Sequence, residues 1–324
     1  MTVLVTGAAG FLGRQLCASL LRDGFDVAGV DSFITSDPAD VNYLLDEPAF
    51  LFEQLDITTP AFETFARSRR FAAIYNLACP TGVPNLGPLA LKMLETCYEG
   101  SKAVLEIAQR DRAPVLLTST AEVYGNPEVS PQAETYTGNV DTLGPRKGYE
   151  EGKRVAETLF GIYAERYGVA AKVVRVFNTY GPGMNLRDTR VTPTFVCAAL
   201  EGRPLRIHGD GRQTRCHTFA SDMITGLRAA MTTGRPAYAY NLGSSTQVTV
   251  RDLAERVITL TGSRGTIESV DRPAHDHDNR LPDTTRALME LGWSTRVSLD
   301  DGLRAMIADF RARLGMVQER VYAA

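Results

Sequence analysis

The 324 residues include one tryptophan, four histidines and five cysteines, and each scarcity narrows what the chain can be. Cys17, Cys79, Cys97, Cys197 and Cys216 are odd in number, widely scattered and form no CxxC pair. That argues against a disulfide framework or a zinc site and for reduced thiols in a cytoplasmic protein. No uncharged apolar run reaches the ~18 residues needed to span a bilayer, and the N-terminus enters an apolar strand without a basic leader. An excess of one charge is missing too: 35 Lys and Arg stand against 38 Asp and Glu, a formal charge of -3. Neither nucleic acid nor an anionic membrane is therefore an expected partner, and any phosphate must be bound locally. Repeats and Pro/Ser-rich linkers are absent as well, so a second lobe must be interwoven with the first. The 44% of hydrophobic positions suffices for a full core.

The first thirty residues carry the strongest local pattern. A β-branched strand, "TVLVT", runs into Gly7, Gly10 and Gly13 at three-residue spacing, then into a helix with Leu16, Leu20 and Leu21 on one face. The next strand, "DVAGV", ends in Asp31. Glycines there let the backbone turn and approach a pyrophosphate on the helix N-terminus, beside Phe11 and Leu12, while the acid accepts bonds from the adenosine ribose. Asp31 would repel a 2′-phosphate and "SFITSD" supplies no arginine for one, so NAD is expected rather than NADP. Asp56 and Ile57, after "AFLFEQL", are expected along the adenine edge. A buried strand over Ala72 to Leu77 should end at the ligand-bearing edge of the sheet, with Leu77 and Ala78 against the cofactor. Strand and helix alternate through this half, which predicts an α/β doubly wound parallel sheet, the Rossmann arrangement. Residues 86–110 read as one long amphipathic helix, suited to the core or to a homodimer face.

Farther on, "YEEGKRVAE" sets Tyr149 and Lys153 one helical turn apart on one face. An ammonium beside a phenol, together with the positive nicotinamide ring, favours the phenolate and predicts a tyrosine pKa drawn from about 10 toward working pH. Such a tyrosine takes a proton from a sugar hydroxyl during oxidation of the adjoining carbon.

Taken together, "TGAAGFLG", "AEVYG", "YEEGKRVAE", "RVFNTYGPG", "GDGRQTR", the aspartate of "FASDM", "YNLGSS" and "RLPDTTRALMELGW" resemble the extended short-chain dehydrogenase/reductases that act on nucleotide sugars. The likeness spans nearly the whole chain and is nearest to the family's hexuronate decarboxylases. It implies a mainly NAD-binding domain over 1–180, with a later strand and helix from about 215–245. A smaller, interwoven C-terminal domain over 181–315 would hold the substrate, a UDP-sugar above others.

The resemblance also implies that Thr120 hydrogen-bonds the sugar C4 hydroxyl beside Tyr149, and that the next two residues select the chemistry. Ala121 stands where dehydratases of the family look like Asp, so elimination lacks its acid. Glu122 stands where simple 4-epimerases usually have a small or hydroxylated residue. Decarboxylation gives a carboxylate work: a 4-keto hexuronate is a β-keto acid, and loss of carbon dioxide leaves an enolate for Tyr149 and Thr120 to stabilise, with Glu122 ordering water or protonating C5. UDP-glucuronate would become UDP-xylose, with NAD recycled. A nucleotide-sugar 4-epimerase and a non-catalytic NAD-binding scaffold are the alternatives. Decarboxylases resemble Thr-Ser-Glu here, so Ala121 is a departure.

In the second half, Asn178 either holds a sugar or diphosphate oxygen or caps a turn. Arg215 offers a guanidinium fork for phosphate. The resemblance sets Arg215 and Arg280 on opposite sides of the diphosphate and adds Arg190 and Val191 as substrate contacts. His208 either stacks on the base or fills the pocket wall. Two further departures stand out: no tyrosine lies in the loop after Cys79, and Gly183 replaces a usual arginine, with Arg187 and Arg190 nearby. The run His275, Asp276, His277 and Asp278 reads as a hydrated loop rather than a metal cluster.

Overall fold

The structure, a computed structural model, describes residues 1–271 and 280–322. Its centre is a seven-stranded sheet, all of whose neighbouring pairs are parallel. From one edge the order is Ala239–Leu242, Ala171–Val176, Val115–Thr120, Ala73–Asn76, Thr2–Thr6, Asp26–Asp31 and Phe50–Gln54. The expected doubly wound sheet is present.

Period-two alternation explains why both faces need covering. Val3 and Val5 enter one apolar layer with Leu16, Leu20, Met223 and Leu227. Leu4 and Ile74 enter the opposite layer with Val104, Leu105, Leu117 and Phe160. The first layer is supplied by the helices Phe11–Arg22 and Ala220–Thr233, the second by Ser101–Asp111 and Lys147–Tyr167. A third cluster, with Phe195, Leu205, Leu253, Met306 and Phe310, is the core of the second lobe. That lobe carries short paired strands, Leu205–His208 with Ile267–Val270 and Thr214–Cys216 with Gln247–Thr249.

Some boundaries differ from the sequence expectation. The long helix begins at Ala90 rather than near 86, because Gly87 and Pro88 weaken a helical start and a 3-10 turn, Val83–Asn85, precedes them. It is also interrupted by a π-helical turn, Thr96–Gly100, before continuing as Ser101–Asp111. At Gly100 an added Cβ would lie 2.4 Å from Ile57 Cδ1, so the turn brings this backbone against the residue expected beside the adenine.

The ligand-bearing edge follows from the strand order. Thr2–Thr6 and Ala73–Asn76 are neighbours whose connections leave in opposite directions, which opens a crevice beyond their carboxyl ends. The crevice floor is tied together where Thr6 Oγ1 donates to Asn76 Oδ1 at 2.7 Å and the Ala78 N–H donates to Thr6 Oγ1 at 3.3 Å.

Candidate active site

One cleft of about 1200 Å³ runs over these strand ends and into the second lobe. It is lined by every residue singled out above for cofactor, catalysis or substrate: Gly7, Gly10, Phe11, Leu12, Gly13, Asp31, Asp56, Ile57, Leu77 and Ala78; Thr120, Glu122, Tyr149 and Lys153; and Asn178, Arg190, Val191, His208, Arg215 and Arg280.

At the first strand end, Gly7 adopts φ +70, and a Cβ on it would fall 2.8 Å from Ala78 N. A Cβ on Gly13 would fall 1.9 Å from Gly7 O. Only glycines allow the turn, the helix and the neighbouring strand end to meet this closely. The helix starts at Phe11 after Gly10, which has no side chain to cap the first N–H groups, leaving them for an anion. Asp31 accepts from Ala9 N at 3.0 Å, Phe33 N at 2.9 Å and Ser36 Oγ at 2.8 Å. A carboxylate has about four acceptor positions, so one remains for a ribose hydroxyl. Asp56 is paired with Lys92 at 2.7 Å. Burial opposes its ionisation, but the bonds from Lys92 and Thr58 more than offset this and hold it below the usual carboxylate range. These features fit a dinucleotide of the NAD type.

Across the cleft, Thr120 ends the strand Val115–Thr120 and its Oγ1 accepts from the Glu122 N–H at 3.2 Å. The back of this strand end is anchored: Ser119 Oγ donates to Glu157, which pairs with Arg175 at 2.7 Å. The Thr120 hydroxyl acts on the Tyr149 phenol, favouring its ionisation, and Lys153 Nζ donates to Thr118 O at 2.8 Å. Charge balance here differs from the sequence expectation. Burial pushes the Tyr149 phenol up to about 12, outweighing the Lys153 ammonium that draws it down. The Lys153 ammonium itself is penalised by burial, yet the negative character of Cys79, Cys97 and Tyr149 raises it overall. The chain alone therefore keeps Tyr149 protonated, and lysine is not sufficient to bring it to working pH.

Glu122 lies on the 3-10 turn Ala121–Tyr124 and meets two arginines. Arg146, at the start of the Lys147–Tyr167 helix, donates to Glu122 Oε2, and Arg280 Nη2 donates to the same oxygen at 2.8 Å. The buried Glu150 completes the group. Burial, then the negative Glu122, push its carboxyl up to about 7 against the opposing pull of Arg146 and Arg280. Arg146 and Glu150 went unassigned in the sequence; only the 3.6-residue period linking 146, 150 and 153 hinted that they share the catalytic helix face. Arg280, expected on a diphosphate, makes its contacts with Glu122 and with Gly125 O.

Two of the scattered cysteines also converge. Cys79 lines the cleft and its Sγ lies 3.6 Å from Cys97 Sγ, on the π-helical turn. The Cys97 thiol bond, helped by Lys153, draws the Cys79 thiol below its usual range despite burial, while Cys97 is held above.

In the second lobe, Arg190 precedes the helix Val191–Leu200 and pairs with Asp188 at 2.7 Å. Arg215 lies on the strand Thr214–Cys216, and Asn178 O accepts from Thr218 N at 2.9 Å. Gly183, where the resemblance leads one to expect arginine, has φ +84 and its carbonyl accepts from Arg14. Asp222 of "FASDM" accepts from the Arg296 and Val297 N–H groups at 2.8 and 2.9 Å, a bracing role. The run 275–278 lies outside the described residues.

Comparison with known proteins agrees with this geometry. A family model described as the NAD dependent epimerase/dehydratase family matches residues 3–243. The chain is 38% identical to UDP-glucuronic acid decarboxylase 1 of Xenopus tropicalis over 312 residues, 96% of this chain and 72% of that one. Among solved structures, it resembles UDP-glucose 4-epimerase of Thermotoga maritima with UDP-glucose: TM-score 0.89, 26% identity, 97% of this chain and 100% of that one. It also resembles the UDP-glucuronic acid 4-epimerase of Bacillus cereus in complex with UDP-glucuronic acid and NAD, with a TM-score of 0.84 and 27% identity over 97% of this chain and 100% of the other.

Proposed function

We propose, since the chain belongs to the NAD dependent epimerase/dehydratase family, that it is an NAD-dependent decarboxylase converting UDP-glucuronate to UDP-xylose. The observation that carries the reading is Glu122, a carboxylate gripped by Arg146 and Arg280 at the same strand end as Thr120 and Tyr149.

NAD, when bound, supplies reversible two-electron oxidation at the sugar C4. Thr120 orients the C4 hydroxyl toward Tyr149, and Lys153 stabilises the phenolate formed when that hydroxyl is deprotonated through the tyrosine. The 4-keto hexuronate then loses carbon dioxide; the electron pair of the broken C5–C6 bond becomes an enolate, whose oxygen Tyr149 and Thr120 hydrogen-bond. Glu122 orders the water or carries the proton that returns to C5. Arg146 and Arg280 offset the negative charge of two protein carboxylates and a substrate carboxylate in one small space.

Incubation of the purified protein with NAD and UDP-glucuronate, followed by mass spectrometry, tests this. A product lighter by carbon dioxide is expected; an isomer of unchanged mass would replace the reading with 4-epimerisation. Binding of NAD without turnover of any nucleotide sugar would leave the scaffold reading.

The partner of this chain is a second copy of itself in the same reading. Leu91, Leu94 and Tyr98 recur at helical spacing and are exposed, as is Ile162 on the adjoining helix. Paired with their counterparts they would bury an apolar four-helix seam. Light scattering should give twice the chain mass. No described helix is long and apolar enough to cross a membrane, which is compatible with the cytoplasmic location proposed from its reduced thiols.

A further inference from the structure

Among the described residues, a single buried side-chain nitrogen or oxygen lacks a hydrogen-bond partner: His217 Nε2. A buried polar atom left unpaired costs free energy, so an orphan on a cleft wall points to a partner supplied by a ligand. His217 is 9% exposed and lines the cleft in the second lobe. Its other nitrogen, Nδ1, is engaged by Thr192 Oγ1 at 3.2 Å, in the first turn of the helix Val191–Leu200. The Tyr180 ring meets the imidazole edge-on at 6.0 Å between centroids and limits its rotation.

Register supplies the second argument. Arg215 and His217 are two residues apart in extended chain, so both project to the same side, while Cys216 between them is buried the other way. Both line the cleft. Burial, then the positive Arg215, hold the imidazole neutral, with a pKa lowered to about 4. The Thr192 hydroxyl can either donate to or accept from Nδ1; where it donates, the neutral ring carries its proton on Nε2 and is a donor there, the tautomer an anionic ligand selects. Beside a guanidinium, a donor without an acceptor matches an anionic oxygen.

We infer that His217 Nε2 donates a hydrogen bond to a diphosphate oxygen of the bound nucleotide sugar, working beside Arg215. The inference rests on the nucleotide-sugar reading of the cleft and does not depend on which reaction follows. His217 thereby becomes a specificity residue for the diphosphate: it adds a directional contact without a second full charge, which a lysine or arginine at this position would bring.

The test uses the whole protein with NAD and reads binding rather than turnover. In wild type, the His217 side-chain nitrogen resonances should show the Nε2–H tautomer and shift on titration with UDP; an unmoved resonance at saturating UDP overturns the assignment. By calorimetry, His217→Phe should weaken UDP binding about tenfold or more, the loss expected for one hydrogen bond to a charged group. His217→Gln, which keeps a donor, should recover part of it. Uridine is the control arm: its affinity should be unchanged in His217→Phe, and an equal loss for uridine and UDP would overturn the diphosphate assignment. Failure of decarboxylation with these UDP results intact would count against the proposed reaction and leave the contact standing.

Discussion

Arg280 and Glu122, 158 positions apart in the chain, are joined at 2.8 Å on the wall of the cleft, and both are partly or fully buried there. The guanidinium also reaches Gly125 O at 3.4 Å, so the segment around Arg280 is fastened directly to the turn that carries the catalytic carboxylate. Arg280→Gln keeps a donor in place but removes the charge. Glu122 then keeps Arg146 but loses one of its charged partners, and kcat for decarboxylation should fall more than KM rises. Glu122→Gln should cost roughly 100-fold or more in kcat, the scale of a lost acid–base group, measured by product formation from UDP-glucuronate. Undiminished turnover in Glu122→Gln would refute its role.

Tyr149 poses a quantitative problem that the pair with Lys153 alone does not solve, since burial holds its phenol near 12. Removing the ammonium in Lys153→Met should push it higher still. The rising limb of the pH–rate profile should move to more alkaline pH and kcat at neutral pH should drop roughly 100-fold or more. Tyr149→Phe should abolish turnover while NAD binding, followed by fluorescence quenching, persists.

Legibility in the sequence followed the distance between interacting residues. Gly7, Gly10, Gly13 and Asp31 announce themselves because their spacing encodes strand, turn, helix and strand within about thirty residues, and the sheet formed as expected. Tyr149 and Lys153 are legible for the same reason, one helical turn. The gathering of Arg146, Glu150 and Arg280 around Glu122 is a tertiary event, and no local period marks Arg280 as its member. Likewise the Cys79–Cys97 contact depends on a π-helical turn, which pattern reading does not distinguish from a continuous α-helix.

Gly13→Ala tests the cofactor crevice. Its methyl would have to occupy a point 1.9 Å from Gly7 O, a backbone atom that cannot swing aside as a side chain can. The helix must back away from the turn, at a cost of roughly 1–3 kcal/mol typical of overpacking. A lower melting midpoint and weaker NAD binding are expected together; normal NAD affinity would show that the close approach is not required by the cofactor.

Glu150 predicts a pH dependence of stability whose sign can be worked out. Its folded carboxyl titrates near 7 instead of the ordinary 4.5, because it is buried beside Glu122. Between those values the folded chain holds a proton that the unfolded chain has released, so raising the pH through this window weakens folding. Below it both states are protonated, and above it the penalty is complete. The melting midpoint of the ligand-free protein should therefore fall more in wild type than in Glu150→Gln as pH rises from about 5 to about 8. Parallel curves for the two proteins would overturn the assignment.

Cys79 should be the most reactive of the five thiols. The Cys97 thiol lies against it and Lys153 lies near, a combination that favours the thiolate over the opposing effect of burial. Cys17, Cys197 and Cys216 are pushed the other way by burial, and Cys97 is held as a thiol by its partner. Because the thiolate is the reacting form, iodoacetamide at neutral pH should modify Cys79 first. Cys79 follows Ala78 on the cleft wall, so saturating NAD should slow the labelling. Peptide mass mapping over time checks both points; earlier labelling of any other cysteine, or a rate indifferent to NAD, would place Cys79 outside the cofactor crevice in solution.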